Sequence, residues 1–495
     1  MGLMDAGLYA YLTVLSILAV YGAHRLHLIY LYRRARQNDP PPARCFEALP
    51  RVTVQLPLFN EMYVAERLID AVAALDYPRD KLEIQVLDDS TDETTDIVAA
   101  RVGALRAEGF DAVHIHREVR SGFKAGALEN GLGQARGEFV AIFDADFVPQ
   151  PDMLQRTIHY FADPGVGMVQ TRWGHINRRF SLLTQVQSIY LDGHFVVEHT
   201  ARNRSGRFFN FNGTGGIWRR SAIADAGGWQ HDTLTEDLDL SYRAQLKGWR
   251  FVFLKDVVSP AEVPVDMNAF KSQQFRWAKG SAQTMKKLLP LIWKSAFPLR
   301  VKLEATFHLT ANVGYPLMVC LSLLMLPAVK ARAGFEVGAM EIAYDVCLFL
   351  TAFVGVCYFY VFSQQEIHRP LADRFRFLPA LLAVGIGMCL NNTKAVLEGF
   401  LGIDSPFTRT PKHAVHERSG DWLAKRYRGV RTMLPLLELS MAAYFAYILY
   451  FAVSRGLFAL VFFLLIFQCG YLYVGLLSLF QRGFLRELRG LFRPA

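Results

Sequence analysis

The chain has 495 residues, enough for two or three domains, and with 52% hydrophobic and 13% aromatic residues it is too apolar for an ordinary water-soluble protein. Its formal net charge of +9 does not point to nucleic acid, because the basic residues gather beside long apolar runs, where membrane topology places them on the cytosolic side. Of six cysteines, Cys320, Cys347, Cys357, Cys389 and Cys469 lie in apolar segments and Cys45 stands alone, a distribution that excludes a disulfide framework and a cysteine-based zinc spacing.

Residues 6–23 carry no charge and predict a membrane-spanning helix. Asp5 precedes it, Arg33, Arg34 and Arg36 follow it, and no small-residue cleavage site intervenes. Residues 1–47 therefore read as an uncleaved anchor with its N-terminus outside. His24 and Arg25 are expected to face other helices or to snorkel, without chemistry of their own.

From 48 to 265 the pattern alternates between strand and helix signals, which predicts an α/β domain with a mostly parallel sheet. Val52–Leu58 reads as a strand, and 61–75 as a helix with Val64, Leu68, Val72 and Leu75 on one face. Glu83–Leu87 is a strand ending at Asp88-Asp89-Ser90, followed by a helix over 92–108, a strand near 113–116 and a helix near 123–135. Phe139–Phe143 is a strand ending at Asp144-Ala145-Asp146. Carboxylates thus stand just past the ends of two strands, where open α/β sheets bind ligands.

Asp144 and Asp146 offer oxygen ligands from a tight loop, suited to Mg²⁺ or Mn²⁺ bridging them to a diphosphate. A solvated turn or a helix cap accounts for the same pattern. Thr235-Glu236-Asp237 precedes a periodic segment at 238–247; a helix start favours acids there, and Asp237 also suits a general base that takes a proton from an acceptor hydroxyl. Residues 266–304 read as amphipathic helices at the membrane surface. Within them Gln273, Arg276 and Trp277 sit at i, i+3 and i+4 and share a face. A guanidinium can fork onto phosphate, and an indole can stack on a sugar ring.

The remainder, 305–495, holds uncharged runs at 305–329, 346–363 and 456–481, and a similar one at 435–454 with Glu438 near one end. Residues 377–403 are expected to form an interfacial or re-entrant helix with Asn391, Lys394 and Glu398 toward water. A crossing there would put Arg409, Lys412, Arg418, Lys425, Arg426, Arg428 and Arg431 outside. The expectation is five spans with domain and C-terminus in the cytosol, six spans being the alternative.

In order along the chain stand Asp89, Asp144-Ala145-Asp146, Thr235-Glu236-Asp237 and Gln273-Gln274-Phe275-Arg276-Trp277. With them the sequence resembles the processive family 2 glycosyltransferases over about residues 50–430. Gly122-Phe123-Lys124-Ala125-Gly126-Ala127-Leu128, Phe143-Asp144-Ala145-Asp146-Phe147 and Phe211-Asn212-Gly213-Thr214 are similar to the cellulose-synthase-like A and C type mannan and glucan synthases. The resemblance implies a GT-A (Rossmann-like) α/β catalytic domain inserted between transmembrane α-helices, inversion at the anomeric carbon and a divalent cation. It implies that Phe59 and Asp89 hold the nucleoside with Glu61 on the donor side, that Lys124 and Asp144 approach the diphosphate, and that Asp146 binds metal together with Asp144. Asp237 would be the base with Glu236 beside it, and Arg276 would hold pyrophosphate. Gln273, Trp277 and the loop of Asn212, Gly213 and Thr214 would meet the acceptor. Phe407-Thr408-Arg409-Thr410-Pro411-Lys412, within a loop at 405–413, resembles the cellulose-synthase gating loop Phe-x-Val-Thr-x-Lys with Arg409 in place of valine. Thr410 and Lys412 would then reach the donor from the cytosolic side.

The leading expectation is a polysaccharide synthase adding a hexose from UDP-glucose or GDP-mannose to a β-linked mannan, glucan or glucomannan. The alternatives are a lipid glycosyltransferase acting on diacylglycerol, ceramide or a polyprenyl carrier, and a non-catalytic membrane scaffold of the same fold. The partners implied are the nucleotide-sugar donor, the acceptor and membrane lipids, with no nucleic acid. The compact chain suggests a bacterial inner membrane ahead of the Golgi.

Overall fold

The computed structural model describes residues 3–35, 39–334, 339–405, 409–416, 422–427, 429 and 432–491. Seven strands, β1 (Val52–Leu58), β2 (Leu82–Asp88), β3 (Asp111–His116), β4 (Phe139–Ile142), β5 (Val166–His175), β6 (Gly216–Arg219) and β7 (Arg250–Ala261), form one sheet. Their order is β3-β2-β1-β4-β6-β5-β7. β1 to β4 are parallel; β1, β2 and β4 are buried along nearly their whole length, as strands covered on both faces are, and β3 at the sheet edge is only partly buried. Val64, Leu68, Val72 and Leu75 are all buried, with Val54, Leu56 and Val98 in the core on one side of the sheet. Leu128, Ile142, Trp218 and Phe253 build the core on the other side.

The sheet is mixed where a mostly parallel one is expected, because β6 runs antiparallel to both β4 and β5. Gly216 pairs with Ile142, the last residue of β4, so β6 starts at the carboxyl end of β4 and runs back. This reversal delivers residues 211–215 to the edge of the Asp144–Asp146 turn.

A long helix then spans the back of the site. Ser181 caps its first part, Leu182–Asp192, by accepting the Thr184 N–H at 3.2 Å. It widens into π-helical turns over Gly193–His199 and ends as Thr200–Arg204.

Among the described residues, five helices are long and apolar enough to cross a membrane: Ala6–Arg34, Leu299–Ala331, Val346–Glu366, Leu434–Ser454 and Phe458–Gln481. Leu371–Gly387 and Cys389–Leu401 form a pair bent by 43°. The chain after this pair contacts the α/β domain: Arg409 lies 2.8 Å from Glu61, and Lys412 pairs with Asp146. Val346–Glu366 also returns to the domain side, since Gln364 Nε2 donates to Asp192 at 3.0 Å. The segments before and after the bent pair thus both contact the α/β domain or the helix packed on it; the pair adds a sixth candidate span only if its two helices are taken as one.

The exposure expected inside that pair is corrected at two positions. Asn391 is buried and donates to the Lys271 carbonyl at 3.0 Å, and Glu398 pairs with Lys279 at 3.0 Å; Lys394 alone is exposed. The helix Met267–Lys294 lies across the pair and offers these partners, so the polar groups are satisfied without water. His24 and Arg25 face other helices as expected: His24 lies 3.0 Å from Glu304, and Arg25 pairs with Glu198. Arg202 joins the two carboxylates, 3.0 Å from each. Arg36, Phe407, Thr408, Arg418, Arg428 and Arg431 lie outside the described residues.

Candidate active site

The loops after β1, β2 and β4 enclose a cavity of about 190 Å³. Phe59, Glu61, Asp89, Lys124, Asp144, Asp146, Asn212, Gly213, Glu236, Asp237, Gln273, Arg276, Trp277, Thr410 and Lys412 all line it. Residues 353 positions apart in sequence are thereby brought to one wall of loops and one helix face.

Asp89, directly after β2, is buried and gripped by Arg117, whose Nε and Nη2 donate to its two oxygens at 2.7 and 2.6 Å. Such a bidentate fork fixes the carboxylate in one plane. The Arg120 guanidinium lies 3.4 Å from the Phe59 ring centroid. The sequence reading missed both arginines; the available signal is their position just past the end of β3, level with Asp89.

At the centre, Lys124 Nζ donates to Asp144 Oδ1 at 2.6 Å and to the Gly213 carbonyl at 2.9 Å. Burial pulls the Lys124 ammonium down, but Asp144 and Glu236 more than offset it, so the group is held above its ordinary value. Lys412 stands on Asp146 and Arg409 on Glu61. Burial pushes the Glu61 carboxyl up to about 7 despite these cations, since Asp144 and Asp146 add to the negative field. Three acids and three cations thus alternate across the floor of the cavity.

Thr214 does not line the cavity beside Asn212 and Gly213. It is buried, its hydroxyl accepts the Asp144 N–H at 2.8 Å, and its carbonyl accepts from Gln170 at 3.1 Å. Its place next to β4 makes it a support for the Asp144 turn. Thr214→Val leaves a buried N–H without a partner, so a loss of about 1–3 kcal/mol of stability is expected, read as a lowered thermal midpoint. An unchanged midpoint would refute this support. Gly213 stays at the cavity with φ of +79°, and a Cβ there would stand 3.0 Å from Asp237 Oδ2, so only glycine fits.

Asp237 sits in the first turn of the helix Glu236–Leu246, where acids are favoured, and its Oδ1 accepts the Leu238 N–H at 2.8 Å. The two readings of Thr235-Glu236-Asp237 are compatible, because the same turn opens onto the cavity. Burial first, then the adjacent Glu236, pushes the Asp237 carboxyl up to about 7; burial raises Glu236 as well.

The helix Met267–Lys294 starts at Asp266, whose Oδ1 accepts the N–H groups of Asn268 and Ala269 at 2.8 and 3.1 Å. It packs so tightly on Thr235 that a Cβ at Gly280 would stand 2.6 Å from Thr235 Cγ2. This contact sets Gln273, Arg276 and Trp277 over the cavity. Arg276 donates to the Thr410 hydroxyl at 2.8 Å, and burial pulls its guanidinium down to about 10.

Beyond Asp237 a second cavity, of about 350 Å³, opens toward the spanning helices and shares Asn212, Gln273 and Trp277 with the first. Asn212 is fixed between two histidines: His199 Nε2 lies 2.6 Å from its Oδ1 and His194 Nε2 lies 2.9 Å from its Nδ2. Residues five apart diverge on an α-helix and converge on a π-helix, so the widened turns make this clamp. No motif in the sequence announced it.

Residues 50–280 match the family model described as "Glycosyltransferase like family 2". Two rice (Oryza sativa subsp. japonica) proteins are similar to the chain. Glucomannan 4-beta-mannosyltransferase 1 is 44% identical over 263 residues, covering 52% of this chain and 50% of the relative. Probable glucomannan 4-beta-mannosyltransferase 7 is 41% identical over 279 residues, covering 55% and 48%. The chain thus spans about half the length of the curated relatives it matches. Among solved structures, a mannosyltransferase from Pyrobaculum calidifontis in complex with GDP-Man and Mn²⁺ superposes with a TM-score of 0.54 at 23% identity, covering 79% of this chain and 100% of that one. That likeness identifies the fold as GT-A. Residues 50–280, with their carboxylates at the ends of β2 and β4 and membrane-spanning helices on either side, are therefore a family 2 glycosyltransferase domain.

Proposed function

We propose that the chain transfers a hexose, mannose in the first instance, from a nucleotide-diphosphate donor to a growing β-linked mannan or glucomannan. The carrying observation is that Asp237 lies on both cavities, so a donor in one and an acceptor in the other meet at a carboxylate. The acceptor side is lined by Trp173, Trp277, Tyr315, Tyr360, Asn210 and Gln187, aromatic faces and amides that suit sugar rings. The names of the rice relatives support mannose as the sugar.

In this reading Asp237 removes the acceptor hydroxyl's proton as that oxygen attacks the anomeric carbon. Arg276 and Lys124 hold the diphosphate as it leaves, and Thr410 and Lys412 close over it. Asp144 and Asp146 line the cavity as hard oxygen donors with Glu61 beside them, each facing a cationic side chain, a donor set that suits Mg²⁺ or Mn²⁺. Such an ion neutralises charge on the diphosphate when bound. Lys412 competes with it for Asp146, so Lys412→Met is expected to tighten Mn²⁺ binding without nucleotide by about tenfold or more, equal to about 1.4 kcal/mol. Calorimetric titration measures it, and unchanged or weaker binding would remove the competition.

A lipid acceptor is the second reading. It draws on an apolar cavity of about 380 Å³ between the spanning helices, lined by Leu18, Met318, Phe353 and Phe467, which shares Tyr190 and His308 with the acceptor cavity. Incubation with labelled GDP-mannose and UDP-glucose, followed by fractionation, separates the two. Ethanol-insoluble label is expected, mainly from GDP-mannose; label that extracts into organic solvent would replace the polymer reading with the lipid one.

Arg33 and Arg34 on one flank and Arg369, Arg374 and Arg376 on another support a cytosolic domain in this reading. The preference for a bacterial inner membrane draws no support from the rice relatives.

A further inference from the structure

His114 and His116 are two apart on β3, so both imidazoles project from one face of the sheet edge. The register pairs His116 with Asp88 on β2 and His114 with Val86. Both rings therefore reach one carboxylate: His114 Nε2 and His116 Nδ1 lie 3.0 and 3.2 Å from Asp88 Oδ2. The three ligand atoms fall within 4.8 Å of one another.

Asp88 is fully buried, and its other oxygen accepts the Ser90 N–H at 2.9 Å. Among the described residues no lysine or arginine forms an ion pair with it; the nearby arginines are spent on Asp89. Three ligands about 2.0–2.2 Å from a tetrahedral ion stand about 3.4 Å apart. The two separations from Asp88 Oδ2, 3.0 and 3.2 Å, lie close to that.

We propose that Asp88, His114 and His116 form a transition-metal site, separate from the Asp144–Asp146 carboxylates, with Zn²⁺ as its fitting ion. Two imidazoles with one carboxylate suit zinc and disfavour Mg²⁺, which takes oxygen ligands. Exposed His116 leaves a fourth position open to water. The site clamps the edge strand β3 onto β2 one residue before the Asp89–Arg117 pair on both strands, and so fixes the wall of the donor cavity. It holds whichever sugar the domain transfers.

The purified 495-residue chain, with Mg²⁺ in excess over the hard oxygen site, is titrated with Zn²⁺ and its metal content measured after gel filtration. About one zinc per chain is expected in the parent and in Asp146→Asn, and binding weaker by about a hundredfold or more in His114→Gln/His116→Gln. Equal zinc retention by the double-histidine variant would overturn the proposal. Co²⁺ titration of the unaltered chain checks it without any substitution: visible d–d bands of a tetrahedral nitrogen–oxygen site are expected, and their absence would overturn it.

Discussion

Asp237→Asn is expected to lower turnover by about 10²–10⁴-fold, the span that general-base removal usually costs, while nucleotide binding survives. The amide keeps the shape and can still accept the Leu238 N–H at 2.8 Å, so the helix start is preserved and only proton acceptance is lost. A second consequence separates the base from a merely structural acid. Burial and Glu236 hold the Asp237 carboxyl at about 7, so kcat/KM of the parent falls about tenfold per pH unit below 7 and is level above it. The same shift acts on stability with the opposite pH sense. Between an ordinary carboxylate pKa of about 4 and the folded value of about 7, the folded chain binds more protons than the unfolded one, so stability declines as pH rises through that window. Asp237→Asn escapes this loss. It is expected to be more stable than the parent at pH 8, by about 1–2 kcal/mol after allowance for partial exposure, with the difference gone below pH 4. A variant that melts below the parent at pH 8, or that keeps parental turnover, would remove Asp237 as the base.

Chelation with EDTA, or Asp146→Asn, is expected to lower transfer by about 10³-fold, the several kcal/mol that charge neutralisation at a leaving diphosphate supplies. In the structure Asp146 faces Lys412, and Glu61 and Asp144 stand beside it. Removing one carboxylate therefore leaves a cationic loop with less to hold it as well as a poorer set of oxygen ligands. Added Mn²⁺ restores the chelated parent and fails to restore the variant. Full activity in EDTA would refute the role given to the Asp144–Asp146 turn.

The first half of the sheet was legible because β1, β2 and β4 are buried on both faces, and the apolar residues of β2 and β4 lead directly to the carboxylates that matter. The second half was not. β6 is four residues long, and β7 carries Lys255, Asp256 and Pro260, so neither shows a strand period. The reversed β6 then decided the fate of Thr214, whose hydroxyl looked available for a ligand and is spent on the Asp144 N–H. Gln273, Arg276 and Trp277 were readable from spacing alone, because a helix puts i, i+3 and i+4 on one face wherever it packs. Arg409 stood out only as a departure from a pattern, and its ion pair with Glu61 joins residues 348 apart. His24 with Glu304, and His194 and His199 around Asn212, depend on tertiary packing and on π-helical turns that no local periodicity encodes.

The anomeric configuration of the product tests the account most directly. One carboxylate at the junction of two cavities supports a single displacement, so an α-configured nucleotide-sugar donor must give a β-configured glycoside. Proton NMR of the product formed from GDP-mannose or UDP-glucose is expected to show the β-anomer alone. An α-linked product would contradict direct attack by an acceptor activated at Asp237.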